Sequence, residues 1–344
     1  MRKRRIKDKA IDTVSSFIGG EDMRGKEAKV LEDIAERTGF IPENVIWRSD
    51  YFGSGKLGAV HYRGFYKGKK VVLKIQGVKP SISEIFMIES FARQNQSKII
   101  RPPRLFYTMP WDTQRGYEAL IMEYVSGPKI VESGRLQTEK DVVSFFRLYL
   151  EYRENCRRRP WLPRPKSKLS SKEALDRLLA VAQKVKPKSP YRRLEDVDLA
   201  KEGAVILDRI WSGIEWEFVH GHFSAEDLIR ANGDVVLFSN LFWKWKHPYY
   251  DAVFAYHWFI YSLAGVRGIT PEQIEKQRRL WLEEIFRLPS LNHHLLKAAL
   301  LERAIAGLLV DSMAYIDEEN PVAGYMVEST RKQVRLLIRE LKQE

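Results

Sequence analysis

Cysteine is almost absent: Cys156 is the only one in 344 residues. An internal disulfide is therefore excluded, and a lone thiol fits a reducing compartment, so a cytoplasmic location is expected. Long apolar runs are missing too. A membrane helix needs about 18 uninterrupted apolar residues. The nearest approach, FAYHWFIYSLAGV at 254–266, carries His257 in its middle and reads as a buried helix. The basic start, MRKRRIKDKA, is followed by VSSFIGGED, too short and too polar for the core of a signal peptide. No membrane span is expected. Internal repeats and low-complexity segments are lacking as well.

What is present is globular. Hydrophobic residues make up 44% and charged residues 30%, and the length suffices for two lobes with a core each. The net charge of +13 is unevenly placed. Residues 152–193 hold 14 Lys/Arg against Glu154, Glu173 and Asp176, a net +11, and residues 1–9 hold six against Asp8, a net +5. The remaining residues therefore sum to −3. Such segments attract polyanions, nucleic acid or acidic lipid among them. They also suit a solvated loop and tail, since neither interleaves aromatics with its charges as single-strand binders do.

Three parts are expected along the chain. Residues 1–44 form a basic helical N-terminal extension, with Gly39 as its stop. Residues 45–125 form a small β lobe: strand-like runs WRSDYFGSG and AVHYRGFY, a KGKK turn, the strand VVLKI, and then a helix over 81–95 with Ile82, Ile85, Phe86 and Phe91 on its apolar side. RPPRLFYTM and YEALIMEYV resume the strands, and Ser126-Gly127-Pro128 ends the lobe. Residues 126–344 are mainly helical, with helices over 139–155, 171–185 and 205–218. A loop, strand, Asn232-Gly233 turn and strand follow over 220–238, and then helices broken at Pro271 and Pro289.

Gly53-Ser54-Gly55-Lys56-Leu57-Gly58-Ala59-Val60 fits G-x-G-x-x-G-x-V. The same spacing occurs in dinucleotide-binding domains, where the glycines open a helix. Here strands follow, and a glycine loop inside a β-hairpin can cover phosphates with backbone N–H groups. An ordinary hairpin turn would look the same. Lys74, alternating with apolar residues on VVLKI, is followed by a helix carrying Glu84 and Glu89, either of which could pair with it. ALIMEYVSG at 119–127 could be an inter-lobe segment or a plain core strand. Further on stand His220-Gly221-His222 with Asp227 five residues later, Leu237-Phe238-Ser239, and His247-Pro248-Tyr249-Tyr250-Asp251.

Taken in order over residues 46–260, these motifs resemble the aminoglycoside and choline phosphotransferases, whose catalytic loop reads H-G-D-x-x-x-x-N. That resemblance implies an α+β, two-lobed protein-kinase-like fold: a small antiparallel β N-lobe with one helix and a larger, mainly helical C-lobe. It implies a nucleotide, ATP or another, held by Gly53, Ser54, Gly55, Gly58, Val60 and Lys74, with Glu84 preferred to Glu89 as the partner of Lys74. It places Met122 behind an adenine edge read by the Glu123 C=O and the Val125 N–H. It assigns His220 and Asp251 to shaping the loop. At the reactive positions the chain departs from the family. The catalytic Asp is His222, the metal-binding Asn is Asp227, and the magnesium Asp is Ser239. One carboxylate replaces two, leaving Asp227 as a weak metal ligand and disfavouring Mg²⁺, a hard cation that wants oxygen donors. The first expectation is a nucleotide-binding protein with weak or absent phosphotransfer, its partner an unknown small molecule or protein. The alternatives are an active small-molecule kinase built on Asp227 and His222, and a nucleic-acid-associated protein using its basic segments. Trp243, Trp245, Tyr249 and Tyr250 read as core or lobe-surface aromatics in preference to a ligand cage.

Overall fold

The computed structural model describes residues 23–50, 57–165, 171–183, 188–316 and 318–344. Helix α1 (Met23–Thr38) leads into β1 (Ile41–Asp50), β2 (Leu57–Tyr66) and β3 (Lys69–Gln76). Helix α2 (Glu84–Gln94), the short β4 (Ile100–Arg101), β5 (Leu105–Asp112) and β6 (Tyr117–Glu123) follow. The long strands form one antiparallel sheet in the order β1-β2-β3-β6-β5.

Side chains alternate across a strand, so the sheet has two different faces. Val71, Leu73 and Ile75 of β3, with Tyr117, Ala119 and Ile121 of β6, pack with Ile34 of α1 and with Phe40. Val72 of β3, with Leu120 and Met122 of β6, packs with Ile85 and Ile88 of α2. Helix α1, set apart by the sequence as an extension, thus supplies the outer layer of the small lobe. Its buried Glu27 clamps the sheet: Arg48 of β1 donates to both carboxylate oxygens, at 2.7 and 2.6 Å, and the Tyr62 hydroxyl of β2 donates as well.

Helix α2 starts at Glu84, where Ser83 accepts from the Ile85 N–H, three residues later than the sequence pattern suggests. Its buried arc is wider than that pattern. Ile85 and Ile88 meet the sheet, while Met87 and Phe91 meet the large lobe, and Phe86 is 40% exposed between turns that need no third contact.

The large lobe contains α3 (Glu139–Glu151), α4 (Ser171–Ala182), α5 (Glu195–Ser212), β7 (Glu217–Val219), β8 (Leu228–Ala231), β9 (Asp234–Leu237) and β10 (Lys244–Lys246). The helices α6 (Tyr250–Ser262), α7 (Pro271–Phe286), α8 (His293–Ala306), α9 (Ser312–Tyr315) and α10 (Ala323–Gln343) complete it. The helix expected at 205–218 begins ten residues earlier and stops at Gly213, because residues 217–219 pair with β10 as a strand. Arg331 of α10 is buried and closes on Asp196 of α5 at 2.6 and 3.0 Å. That pairing satisfies a charge that could not stay buried alone. Among the described residues no helix is long and apolar enough to cross a membrane.

The basic segment spends much of its charge internally. Arg157 is half-buried, donates to Glu217 at 2.5 Å and lies over the Tyr152 ring, and Arg153 reaches the same carboxylate. Arg164 pairs with Glu215, and Arg193 with Glu195 and Glu328. Arg158 and Arg159 are exposed.

The two lobes are joined by backbone. β4 pairs in parallel with β9, and residues 128–130 pair with β8 through Arg230 N–H to Pro128 O and Ile130 N–H to Leu228 O. A Cβ on Gly127 would lie 1.7 Å from the Arg230 carbonyl oxygen, so the crossing requires glycine. Gly127→Ala should therefore lower stability by about 1–3 kcal/mol, the usual cost of forced overpacking. Gly213→Ala, whose Cβ meets nothing within 4 Å, should be near neutral. Chemical-denaturation midpoints of the two variants check this.

Candidate functional site

The site is built where the inner face of the sheet meets the loop after β7. On that face Lys74 is 9% exposed and its ammonium lies 2.5 Å from Glu84 Oε2. Glu84 therefore makes the pair, while Glu89 points outward. Glu84 is itself held at the helix start, its N–H donating to buried Glu118 at 3.3 Å. Burial raises the pKa of Glu118.

Beside Lys74 on the neighbouring strand is His61, its register partner, with Trp47 of β1 4.7 Å away ring to ring. Burial, reinforced by the Lys74 charge, drives the His61 pKa well below the ordinary value. Val60 does not share this face. It is fully buried in the outer layer with Val71 and Leu73, because alternation puts it one residue out of phase with Lys74. The inner-face positions of β2 are Ala59 and His61, legible in principle from that same alternation. Gly58 is buried and its carbonyl accepts from Gly77 N–H. Gly53, Ser54 and Gly55 lie outside the described residues.

At the lobe junction Met122 is buried against Val72 and Leu120, and Val125 is half-buried. The Glu123 carboxylate receives Arg101 and, at 2.8 Å, the Arg104 N–H. Arg101 also reaches Asp234 of β9 at 2.9 Å. The segment is thereby tied to the large lobe, a role of Glu123 that its motif does not suggest.

The loop after β7 is assembled by one buried carboxylate. Asp251, in the first turn of α6, accepts from His220 N–H at 3.1 Å, Gly221 N–H at 2.9 Å and the Tyr152 hydroxyl at 2.5 Å. Tyr152 also receives the His220 N–H at 2.6 Å. Gly221 has a φ of +75°, and a Cβ there would meet the Phe242 carbonyl at 2.5 Å, so this turn admits only glycine. The His220 ring stands edge-on to Trp243 and Phe223. Trp243 and Tyr249 are core residues; Trp245 donates to Leu162 O, and Tyr250 lies under the Lys244 and Lys246 ammonium groups.

His222, Asp227 and Ser239 come together. His222 Nδ1 lies 2.8 Å from Asp227 Oδ2, Ser224 donates to the same oxygen at 2.7 Å, and Ser239 donates to Oδ1 at 2.5 Å. The Phe238 N–H donates to Asp227 O at 2.9 Å, which brings the end of β9 back to the loop. Ser239 sits in the left-handed region at φ 59°, ψ 38°, at a cost of about 1–2 kcal/mol. Its hydroxyl–carboxylate bond offsets that strain. Burial would raise the Asp227 pKa, but the His222 and Ser239 contacts outweigh it and leave the carboxyl below its ordinary value. Against an ionised carboxylate His222 Nδ1 must be the donor, and in the neutral ring Nε2 is then the acceptor. The ring stacks on Phe242 at 4.7 Å and meets the tilted ring of Phe254 at 4.9 Å.

This donor set does not fit Mg²⁺. The one carboxylate has both oxygens receiving internal hydrogen bonds, and its neighbours are an imidazole and a hydroxyl that donates inward. Mg²⁺ asks for several oxygen ligands around an octahedron. Among the described residues no group of three or more metal-ligating side chains is assembled anywhere. What remains chemically is a buried ammonium suited to an anion and an imidazole nitrogen able to take a proton.

The fold is that of the aminoglycoside phosphotransferase and choline kinase group of protein-kinase-like structures. A choline kinase from Cryptosporidium parvum Iowa II superposes with a TM-score of 0.57 at 14% identity, covering 91% of this chain and 97% of that one. Aminoglycoside phosphotransferase APH(4)-Ia, as a thermostable mutant in ternary complex with ADP and hygromycin B, gives 0.54 at 12% identity, covering 90% and 98%. Amicoumacin kinase hAmiN, in complex with AMP-PNP, Ca²⁺ and Ami, gives 0.55 at 15%, covering 90% and 94%. No protein-family model matches the sequence, and no curated protein matches it significantly. At such identities the likeness is one of fold.

Burial of His220 lowers its pKa to about 3, while Asp227 opposes this and His222 and Lys244 add to it. A histidine held neutral in the fold binds its proton only on unfolding. Its stabilising effect is therefore complete above the unfolded pKa near 6.5 and is lost as pH falls toward 3. Acidification from pH 7 to pH 5 should cost about 2 kcal/mol through this residue alone. Denaturation midpoints should fall over that range, and less steeply in His220→Phe.

Proposed function

We propose that this chain is a kinase-fold protein that binds a nucleotide through the Lys74–Glu84 pair and transfers phosphate weakly or not at all. The observation that carries the proposal is the closed arrangement around Asp227. The only carboxylate at the family's reactive positions is taken up by His222, Ser224 and Ser239. Phosphoryl transfer depends on metal ions that neutralise developing charge on the phosphates, and the residues here supply no ligand set for one. By contrast, the buried Lys74–Glu84 pair sets an ammonium on the inner face of the sheet, which supports an anion contact, and two of the similar structures were crystallised with ADP or AMP-PNP. Nucleotide binding with little dependence on Mg²⁺ follows.

One observation favours a second reading, an active small-molecule phosphotransferase. Asp227 orients His222 so that Nε2 is free to accept a hydroxyl proton, the relation a general base needs. Without a metal site this dyad could still deprotonate an acceptor, though the charge on the phosphates would remain unneutralised.

ADP or ATP should raise the melting temperature of the full chain about equally with Mg²⁺ or with a chelator; a saturating ligand at 100 times its Kd contributes about 2.7 kcal/mol. Lys74→Ala should remove most of the ADP-dependent rise, measured against its own baseline. The native chain should hydrolyse ATP no faster than Lys74→Ala. A native rate well above that control, abolished in His222→Ala, would install the second reading. No shift with any nucleotide would sink the binding proposal.

A further inference from the structure

The loop after β7 turns beside a cation that the fold leaves unmatched. Lys244 of β10 pairs with Val219 at the end of β7, and its side chain lies over the turn that follows. A Cβ on Gly221 would sit 2.5 Å from Lys244 Cε and 3.2 Å from Nζ. The ammonium is 5.1 Å from the centre of the Tyr250 ring. Alternate residues of a strand share a face, and Lys246 comes over the same ring at 5.0 Å. Tyr250 stacks on Phe254, which carries the Arg303 guanidinium at 5.5 Å and meets the His222 ring on its other contact. Three cations thus line the aromatic flank of His222.

The carboxylates in reach are already engaged. Lys246 approaches Glu302 at 3.8 Å, and that carboxylate also accepts from the Trp211 indole at 2.9 Å. Arg303 pairs with Asp311, which also lies 3.0 Å from His257 Nε2. Both oxygens of Asp251 are taken by the Tyr152 hydroxyl and the His220 and Gly221 N–H groups. Lys244 is left with no ion pair and no hydrogen bond among the described residues. It is half-buried, and its ammonium is open to solvent. Burial lowers its pKa; Arg303 adds to this, while Asp251 and Glu302 oppose it. The fold withdraws water from this ammonium without supplying a direct partner.

The kind of charge that would match it follows from the donors. An ammonium is a point donor, suited to a phosphate oxygen, whereas the planar fork of a carboxylate is matched by a guanidinium. Two ammonium groups over one ring, with a guanidinium on the next, favour a dianion over a monoanion. We propose that Lys244, with Lys246 beside it, binds a phosphate dianion, free or as the monoester of a small molecule, against the turn that leads into His222. The site is separate from Lys74 on the small lobe and does not rest on the nucleotide reading.

Isothermal titration calorimetry of the full chain at fixed ionic strength tests this. Inorganic phosphate and methyl phosphate are the dianionic probes at about pH 7.5, above a second pKa near 6, and dimethyl phosphate is the monoanion of similar shape. A dianion should bind saturably, and the tighter of the two separates free phosphate from a monoester. Dimethyl phosphate should bind about tenfold more weakly, having one charge fewer. Lys244→Gln should weaken dianion binding by about ten- to hundredfold, the worth of a hydrogen bond to a charged group. Lys246→Gln, which leaves the contact with the Gly221 turn intact, should weaken it by about two- to tenfold and carries the test if Lys244→Gln does not fold. Lys74→Ala should leave the affinity unchanged. The proposal is overturned if neither dianion binds saturably, if dimethyl phosphate binds equally well, or if the Lys244 and Lys246 variants bind like the native chain. It is overturned as well if binding vanishes in Lys74→Ala, which would place the anion in the nucleotide site instead.

Discussion

A single buried carboxylate organises the centre of this molecule. Asp251 is 1% exposed and gathers the His220 and Gly221 N–H groups and the Tyr152 hydroxyl. Those donors come from the loop after β7 and from the end of α3, so α6, the loop and α3 are held by one group. Tyr152 stacks at 4.4 Å on Phe223, and Trp243 joins Phe91 of α2 to Phe218 of β7. The turn at His220 and Gly221 therefore keeps its shape through packing and backbone bonds to Asp251 and Tyr152.

The small lobe reaches the same place by a different route. Its sheet needs both faces covered, and α1 and α2 cover them. The face shared with α2 carries Lys74, so the Lys74–Glu84 pair is a consequence of how the helix docks. Phe238, next to Ser239, packs against Val72, Ile85, Ile88, Leu120 and Met122. The strained serine is thereby fixed from above by the small lobe and from below by Asp227. An ion pair that could face phosphates and a carboxylate closed in on itself meet across this contact.

Much of this was legible in the chain. The order of lysine, helix glutamate and loop motif reflects local requirements: strand alternation, a turn at Gly221 that only glycine can make, a carboxylate that must cap backbone. The Asn232-Gly233 turn adopts the positive φ angles its residues favour. What escaped depended on tertiary partners. Val60 fits the motif by spacing, but its pairing opposite Ile75 on β3 puts it on the other face from Lys74. Phe86 matched a helical stripe, yet the stripe that matters is divided between two lobes. The strand at 217–219 reads as helix until β10 arrives to pair with it. Arg157 looks like one charge in a basic run, and only the fold brings Glu217 to it. The hydrogen bonds from Ser224 and Ser239 to Asp227 join residues up to 12 apart in sequence. No pattern of spacing announces them.

Whether Asp227 is available to a metal ion decides whether this site can support phosphate transfer. Electron paramagnetic resonance of Mn²⁺ titrated into the protein with excess ADP reads this directly, since Mn²⁺ takes the oxygen ligands that Mg²⁺ would. The internal hydrogen bonds predict that free Mn²⁺ signal falls no further than ADP alone accounts for, and that Asp227→Asn changes nothing. A tight, stoichiometric protein-dependent Mn²⁺ site that disappears in Asp227→Asn would contradict it.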